Sequence, residues 1–289
     1  MSTATVLRSR YPRSYALVTR WAGALPRLLD SFGDVALFVF TAIRETAHAM
    51  RYYRRETLRL IAEMGMGTGA MAVIGGTVAI VGFVTFSAGS LIAIQGFSSL
   101  GNIGVEAFTG FFAALANVRI VAPVVTGQAL ASTVGAGTTA ELGAMRISEE
   151  VDALEVMGIN SISYLVATRI TASFAIIVPL YSMAIILSFL AARVVTTVFY
   201  GQSLGTYEHY FETFLRPNDV GWSFLMTIIL STCVMLNHCY YGYTASGGPV
   251  GVGEAVGRSM RASLILIVSV VLLASLALYG VNANFNLTV

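Results

Sequence analysis

The feature that most constrains this chain is the stretch of residues 64–105, which carries no charged side chain. About 20 apolar residues already span the hydrocarbon core of a bilayer, so a run this long exceeds one buried core helix. Over the whole chain, 56% of residues are hydrophobic and 11% are charged, against about 25% charged in a typical soluble domain. A transmembrane barrel would show segments of alternating polarity, and none are visible. The sequence therefore predicts an all-α, polytopic membrane protein.

Residues 1–63 form a basic N-terminal segment with ten Arg and five acidic residues. The apolar run at residues 35–43 is too short to cross a membrane, and apolar and aromatic residues such as Trp21 precede it. We predict one or two helices lying in the membrane interface, with the basic face among anionic headgroups. A solvated basic tail is the alternative. By the positive-inside rule the N-terminus is cytoplasmic.

The remainder of the chain, residues 64–289, divides into about five spans. We expect residues 95–117 to form a helix or an excursion at the outer surface rather than a span, residues 201–219 a polar outer loop and residues 242–253 a glycine-rich inner loop. The C-terminus then lies outside, and the protein is placed in the inner (plasma) membrane. The predicted spans cover about 66–93, 118–140, 164–194, 220–241 and 262–281.

An acidic segment, residues 141–158, lies between the second and third spans and holds five acidic residues and one Arg. The sequence predicts a short helix at about 145–157, with Ser148 as its N-cap. Glu149, Glu150 and Asp152 follow, where the helix dipole favours negative charge. Gly158 fits the left-handed position just past the helix end.

The same segment is amphipathic on a helical period. Acidic residues weigh little in the positive-inside rule, so their presence on the inner side needs another reason. A docking partner supplies one, and a solvated inner loop is the alternative. The apolar stripe consists of Ala144, Ile147, Val151, Leu154 and Gly158.

Residue types that are missing exclude several functions. All 17 basic residues are Arg, so the chain lacks the Lys that a P-loop ATPase or a Schiff-base enzyme requires. Cys233 and Cys239 are six residues apart, on different helix faces, which suggests neither a disulfide nor a metal pair. His238 beside them suggests a metal ligand, but small packing residues at a helix end are the simpler interpretation. We expect no metal site, no catalytic residue, no nucleic-acid partner and no cofactor in this chain.

The acidic segment resembles the hallmark motif of the MlaE/YrbE permeases of MCE-type ABC lipid transporters. Further matches are Gln95-Gly96 after the first span, Pro123 and Gly135 within the second, and Arg169 near the start of the third. The last inner loop matches through its glycines and Arg258. The resemblance covers roughly residues 65–265, and the Arg-rich composition is most similar to an actinobacterial YrbE, with the B-type subunit as one option.

Two departures from the family pattern bear on assembly. Many members have Arg-Glu-Leu-Gly-Pro where this chain has Arg119-Ile-Val-Ala-Pro123, so a Glu is absent. Many also have Ala-Gly-Arg where this chain has Ala131-Ser-Thr133, so an Arg is absent. Because a non-identical partner could supply the missing charges, we expect a heterodimer with a second YrbE-type permease.

The resemblance implies further partners and a role for each group of residues. The partners are two ATPase subunits that bind ATP and Mg²⁺, an MCE protein ring or tube, and a lipid substrate whose path is lined by the second, third and fifth spans. Arg146, Ser148, Glu149, Glu150, Asp152 and Glu155 would couple the permease to the ATPase. Gly135, Thr139 and Gly143 would pack helices or the dimer, and Gln95, Glu106 and Arg119 would lie on the lipid path.

Two other function classes stay open at this level. A membrane-embedded lipid-modifying enzyme would need convergent acid, base or metal groups inside the membrane, where they are costly and therefore conspicuous. A passive scaffold or channel has no obvious use for an acidic amphipathic inner helix. A proton-coupled carrier would need a carboxylate buried within a span, and none is apparent in the sequence.

Overall fold

The computed structural model describes residues 33–66 and 76–279. The chain divides into two compact units, one ending at Arg44 and one beginning at Glu45. Residues 33–44 of the first unit are helical, as are residues 45–52 of the second. Much of the predicted interfacial segment, Trp21 included, lies outside the described residues. Helix α1, Arg54–Met66, belongs to the same unit as the spans, and the domain boundary at residue 63 stays a prediction.

Five helices of the second unit are long and apolar enough to cross a membrane, as predicted. The part of the chain that the structure describes contains no strand. The prediction of an all-α, polytopic membrane protein is therefore confirmed. The long helices are α2 (Gly76–Gly101), α3 (Glu106–Ile147), α5 (Ile162–Phe199), α7 (Pro217–Tyr243) and α8 (Gly248–Tyr279), and the short ones are α4 (Glu150–Val156) and α6 (Leu204–Phe214).

The ends of the long helices gather in two groups. We call the group that includes the acidic segment the acidic end. There α3 ends, α4 follows, α5 and α8 begin, and α7 ends. There the Oγ of Ser161 lies 2.8 Å from the hydroxyl of Tyr243. We call the second group the aromatic end. There α2 ends, α3 and α7 begin, and α6 connects α5 to α7. There the side-chain amide of Gln202 donates to the carbonyl of Ala107 over 3.2 Å.

Residues 95–117 are mostly helical, one of the two expected forms, but the prediction that they lie outside the spans is wrong. Gln95 lies inside α2, which continues to Gly101, and α3 already begins at Glu106. Only a tight turn separates the two helices, and Gly104 in that turn adopts a left-handed φ of 72°. The polar side chains do not end the helix because they bond within it: Gln95 donates to the Oγ of Ser99 over 3.0 Å.

The predicted polar outer loop at residues 201–219 contains helix α6. Its side chain Tyr207 is buried among small residues of α2, α3 and α5, including Ala93 and Ala113. At Gly110 of α3 a Cβ would collide with the backbone of α6, so the glycine lets the two helices touch. An ion pair of 2.7 Å between Arg193 and Glu208 joins α5 to α6. The loop is therefore a packed helix.

The fifth span also begins earlier than predicted. Helix α7 continues to Tyr243 and helix α8 starts at Gly248, so most of the expected glycine-rich loop is helical and the turn between the two helices is short. Gly247 and Gly248 both have a positive φ, which glycine adopts without a steric penalty. A side chain at Gly251 would collide with the carbonyl of Ser246, so glycine is required where the chain reverses.

Helix α3 packs against α7 and α8 through glycines. Gly127 faces Leu230 of α7, and Gly135 faces His238 of the same helix. Eight residues of regular α-helix would turn the second glycine about 80° away from the first. A wider π-helical turn at Ala131–Gly135 adds one residue and brings both glycines to the same side of the helix. This alignment explains how α3 and α7 approach closely.

Candidate functional site

The acidic segment folds as the end of α3 followed by α4, not as the single helix predicted at 145–157. Ser148 caps the C-terminal end of the first helix, and its Oγ donates to the carbonyl of Ala144 over 2.9 Å. The prediction that Ser148 is an N-cap is therefore wrong. The residue before α4 is Glu149, which adopts a left-handed conformation with a φ of 63°. Ala144 consequently leaves the predicted apolar stripe and is exposed.

The C-terminal end of α4 forms as predicted. Gly158 adopts a left-handed φ of 76°. Its amide donates to the carbonyl of Glu155, and the amide of Ile159 donates to the carbonyl of Leu154, each over 3.0 Å. These two bonds are the pattern of a Schellman motif, which satisfies carbonyls that the helix end would leave free.

An arginine joins the two parts of the segment. The Nη1 of Arg146 lies 2.6 Å from the Oδ1 of Asp152, across the break between α3 and α4. Its guanidinium also lies 5.9 Å from the ring centroid of Tyr243 at the end of α7, within cation–π distance. Both side chains of the ion pair are substantially exposed, so the pair alone contributes little stability. Together the contacts fix the angle of α4 against α7.

A second group of polar side chains ties the far end of α4 to α5 and α7. The Oγ of Ser161 donates to Oε1 of Glu155 over 2.7 Å. The hydroxyl of Tyr243 lies 2.8 Å from the same Ser161 oxygen and 3.4 Å from the Glu155 carboxylate. Arg146, Asp152 and Glu155 are thus engaged inside this chain, whereas we predicted them to contact a partner.

The outward surface of α4 combines two acids with two apolar side chains. Glu149 and Glu150 are exposed, and Ser148 donates to one oxygen of Glu150 over 3.0 Å. Val156 is 88% exposed and Met157 is 65% exposed. Of the seven residues in α4, only Val151 is buried. An acidic rim beside exposed apolar tips is the composition of a docking surface.

Behind this surface, an ion pair between a buried arginine and an exposed glutamate links α3 to α5. The Nη2 of Arg169 lies 3.2 Å from Oε2 of Glu141, and its Nη1 donates to the carbonyl of Leu165 over 2.8 Å. The Arg169 side chain is only 5% exposed, whereas that of Glu141 is 58% exposed. The sequence indicated no pairing between these residues.

A polar network lies deeper, where α3 meets α7 and α8. The Oγ1 of Thr139 lies 2.8 Å from the Nδ1 of His238 and 3.2 Å from the Oγ of Ser259. The side-chain amide of Asn237 donates to Ser263 over 2.8 Å. All these contacts are within this chain. Among the described residues no three metal-ligating side chains converge, and the structure makes His238 a packing residue.

The sequence profile of the family described as Permease MlaE matches residues 66–277, well over half of the chain. This chain belongs to the MlaE permease family.

Individual relatives of this MlaE permease agree with the family match. A probable ABC transporter permease protein of Rickettsia bellii is 27% identical over 241 residues, covering 83% of this chain and 89% of the relative. One from Synechocystis sp. is 27% identical over 217 residues, covering 75% and 79%. The chloroplastic protein Trigalactosyldiacylglycerol 1 of Arabidopsis thaliana is 29% identical over 177 residues, covering 61% and 51%. The chain is therefore a multi-pass membrane permease of an ABC transporter, a class that works with ATPase subunits.

The residues predicted for helix or dimer packing contact helices of this same permease. Gly135 lies against His238, and Thr139 belongs to the polar network described above. A Cβ at Gly143 would lie 2.9 Å from Cγ1 of Val252 in α8. These contacts are intramolecular.

The three residues predicted for the lipid path all lie at the aromatic end. Gln95 is exposed on α2, and Glu106 begins α3. Arg119 lies within α3 and contacts α7. Its Nη2 forms an ion pair of 2.9 Å with Oδ2 of Asp219 at the start of α7, and both side chains are largely buried. This ion pair therefore joins α3 to α7.

Proposed function

We propose that this permease moves lipids, with fatty acids and sterols among the candidates, across the inner membrane. Separate ATPase subunits drive the movement through the acidic segment. A second, non-identical YrbE-type permease completes the membrane dimer, and an MCE protein ring or tube delivers or receives the lipid on the outer side. The surface of α4 is the observation that carries this proposal.

The surface of α4 suits a partner that has an apolar pocket with a basic rim. Val156 and Met157 would enter the pocket, because their exposed area gains most from leaving water. Glu149 and Glu150 would accept charge-assisted hydrogen bonds from the rim. Arg146 and Glu155 hold α4 to α7 and α5. A displacement of α4 would therefore move α3, α5 and α7 together as a rigid body.

Two observations support a lipid as the substrate. The spans expose large apolar side chains along their length, including Phe83 on α2 and Ile265 on α8, and a chain-binding path is mostly apolar. The Arabidopsis relative carries the name of a diacylglycerol lipid. A path between this permease and its sister subunit would be built from such surfaces.

The proposed orientation follows from the basic residues. Residues 1–63 are strongly basic, and Arg258 and Arg261 lie near the start of α8 at the acidic end. The positive-inside rule favours placing both regions in the cytoplasm. The acidic segment then faces the compartment that contains ATP, with the N-terminus inside and the C-terminus outside.

The test is a charge reversal on α4. The variant carries Glu149→Arg and Glu150→Arg, and Glu254→Arg serves as its control, because Glu254 is an exposed acid near the start of α8. The tagged chain is purified from native membranes in mild detergent, and its co-purifying ATPase subunit is quantified. Losing two charge-assisted contacts of about 1–3 kcal/mol each predicts at least a tenfold loss of that subunit.

The same preparations distinguish a transporter from the alternatives. Reconstituted into vesicles, the complete assembly should move a fluorescent phospholipid or a labelled fatty acid only when ATP is present. Equal recovery of the ATPase subunit by the α4 variant and the control would refute coupling through α4. Chemical modification of the lipid would identify an enzyme, and movement without ATP would identify a passive channel.

A further inference from the structure

An apolar groove runs between α1 and α5. It consists of two adjoining cavities of about 530 and 500 Å³, each within the range of about 300–1,000 Å³ usual for small-molecule sites. The cavities share Leu58, Ile61 and Ala175, so they form one continuous channel, which we call the α1–α5 groove. One end lies at Arg54 and the other at Met183.

The length of the groove and its position along α5 match one leaflet of a bilayer. Helix α5 carries no charge between Arg169 and Arg193, a distance of about 36 Å at 1.5 Å per residue. The hydrocarbon core of a bilayer is about 30 Å thick, so this stretch crosses it once. The groove extends along α5 from Thr171 to Met183, about 18 Å. It therefore occupies the half of the span nearer the acidic end.

A basic side chain marks the end of the groove at the membrane surface. Arg54 lines the first cavity, and its Nε donates to the carbonyl of Met50 over 3.3 Å. No carboxylate of the described residues lies within ion-pair distance of Arg54. Arg59 on the same helix differs, because it pairs with Glu56 and Glu63. An apolar channel that ends at a cation complements a ligand with an apolar chain and an anionic head.

We propose that the α1–α5 groove binds an anionic phospholipid, with an acyl chain against Leu58, Ile61 and Ala175 and the phosphate at Arg54. The terminal N–H groups of the Arg54 guanidinium donate to the phosphate oxygens. This site lies apart from the docking surface of α4, and it does not depend on the proposed transport. It would make the attachment of α1 to α5 sensitive to the anionic lipid content of the membrane.

The test uses a tryptophan in the groove and lipids with brominated chains, which quench fluorescence on contact. The reporter is Phe174→Trp in a chain whose native Trp21 and Trp222 are replaced by Phe. The protein is reconstituted into phosphatidylcholine vesicles containing either brominated phosphatidylglycerol or brominated phosphatidylcholine. One arginine near an anionic headgroup contributes about 1 kcal/mol, so the anionic lipid should bind about fivefold more strongly.

Two controls isolate the role of Arg54. Arg54→Gln should bring the ratio of the two lipids to about one, while Arg55→Gln, which removes the same charge from a neighbour that does not line the groove, should preserve the preference. A second reporter, Ile186→Trp, lies on α5 outside the groove, where Ile186 is 63% exposed. It should sense both lipids equally and shows that the chain is folded.

Three results would overturn the proposal. Equal quenching of the groove reporter by both lipids would mean ordinary lipid contact without a site. Equal effects of Arg54→Gln and Arg55→Gln would mean general surface charge. Absence of quenching by either lipid, with normal quenching at residue 186, would mean that polypeptide covers the groove.

Discussion

Gly135→Ala should destabilise the permease through a steric collision with His238, and a control on the same helix separates the cost of that collision from other effects. An ideal Cβ at Gly135 would lie 2.5 Å from Cδ2 and 2.6 Å from Nε2 of His238. The His238 ring is fully buried, and Thr139 holds its Nδ1 at 2.8 Å. The ring therefore cannot move away without losing that hydrogen bond. Overpacking of this kind typically costs about 1–3 kcal/mol.

Gly137 provides the matched control on the same helix. A Cβ at Gly137 meets no atom of the described residues within 4 Å. Both Gly135→Ala and Gly137→Ala gain the higher helix propensity of alanine, about 1 kcal/mol. Because that gain is shared, the difference between the two variants measures the collision with His238. At about 2–4 °C per kcal/mol, Gly135→Ala should unfold roughly 2–12 °C below Gly137→Ala.

The measurement is thermal unfolding in detergent, followed by the fraction of monodisperse protein on size-exclusion chromatography. A double variant identifies the cause: in a His238→Ala background, Gly135→Ala should no longer destabilise, because the space is free. Equal midpoints for Gly135→Ala and Gly137→Ala would refute the contact. Loss of dimer on native gels without a change in midpoint would instead assign Gly135 to the dimer interface, the other role expected from sequence.

Two further predictions concern the aromatic end. Arg119→Leu and Asp219→Leu should each destabilise the permease more than the double variant does, because each single variant leaves one charge without its partner. A double-mutant cycle should give a coupling energy of about 1–3 kcal/mol. Additive effects of the two substitutions would disprove the ion pair. Burial raises the pKa of Tyr207 above its ordinary value. Above about pH 10 the folded chain therefore keeps the phenolic proton while the unfolded chain loses it. The stability of the fold should fall as the pH rises through this range. The hydroxyl of Tyr207 has no hydrogen-bond partner among the described residues. Tyr207→Phe should therefore be neutral or stabilising by up to about 1 kcal/mol at pH 7. The variant should also resist alkaline unfolding better than the native chain, and earlier alkaline unfolding would contradict this.

Hydropathy predicted the number of spans because the need to match a bilayer acts on whole segments. It did not predict where the helices end. Polar residues such as Gln95 remain helical by bonding to the next turn, as Gln95 does with Ser99. The loops that we expected from composition are helices where tertiary packing covers them, as it covers Tyr207. Packing of this kind is not visible in a linear pattern.

The acidic segment was predicted in position and charge but not in detail. Ser148 has the chemistry of an N-cap, yet the same hydroxyl can bond backwards to a carbonyl one turn earlier, and that alternative occurs here. Contacts between residues distant in sequence could not be predicted. The pair of Glu141 with Arg169 depends on how α3 and α5 meet, as the contact of Thr139 with His238 depends on how α3 meets α7.

The length of α3 has a mechanical consequence. Its 42 residues measure about 63 Å, roughly twice the thickness of the hydrocarbon core. A tilt of about 10° around its midpoint would therefore displace each end by about 5 Å, in opposite directions. One end carries the acidic segment, and Arg119, between the other end and the midpoint, joins α3 to Asp219 at the start of α7. One continuous helix thus connects the two faces of the membrane, so a displacement of the acidic segment would be accompanied by an opposite displacement of the far end of α3.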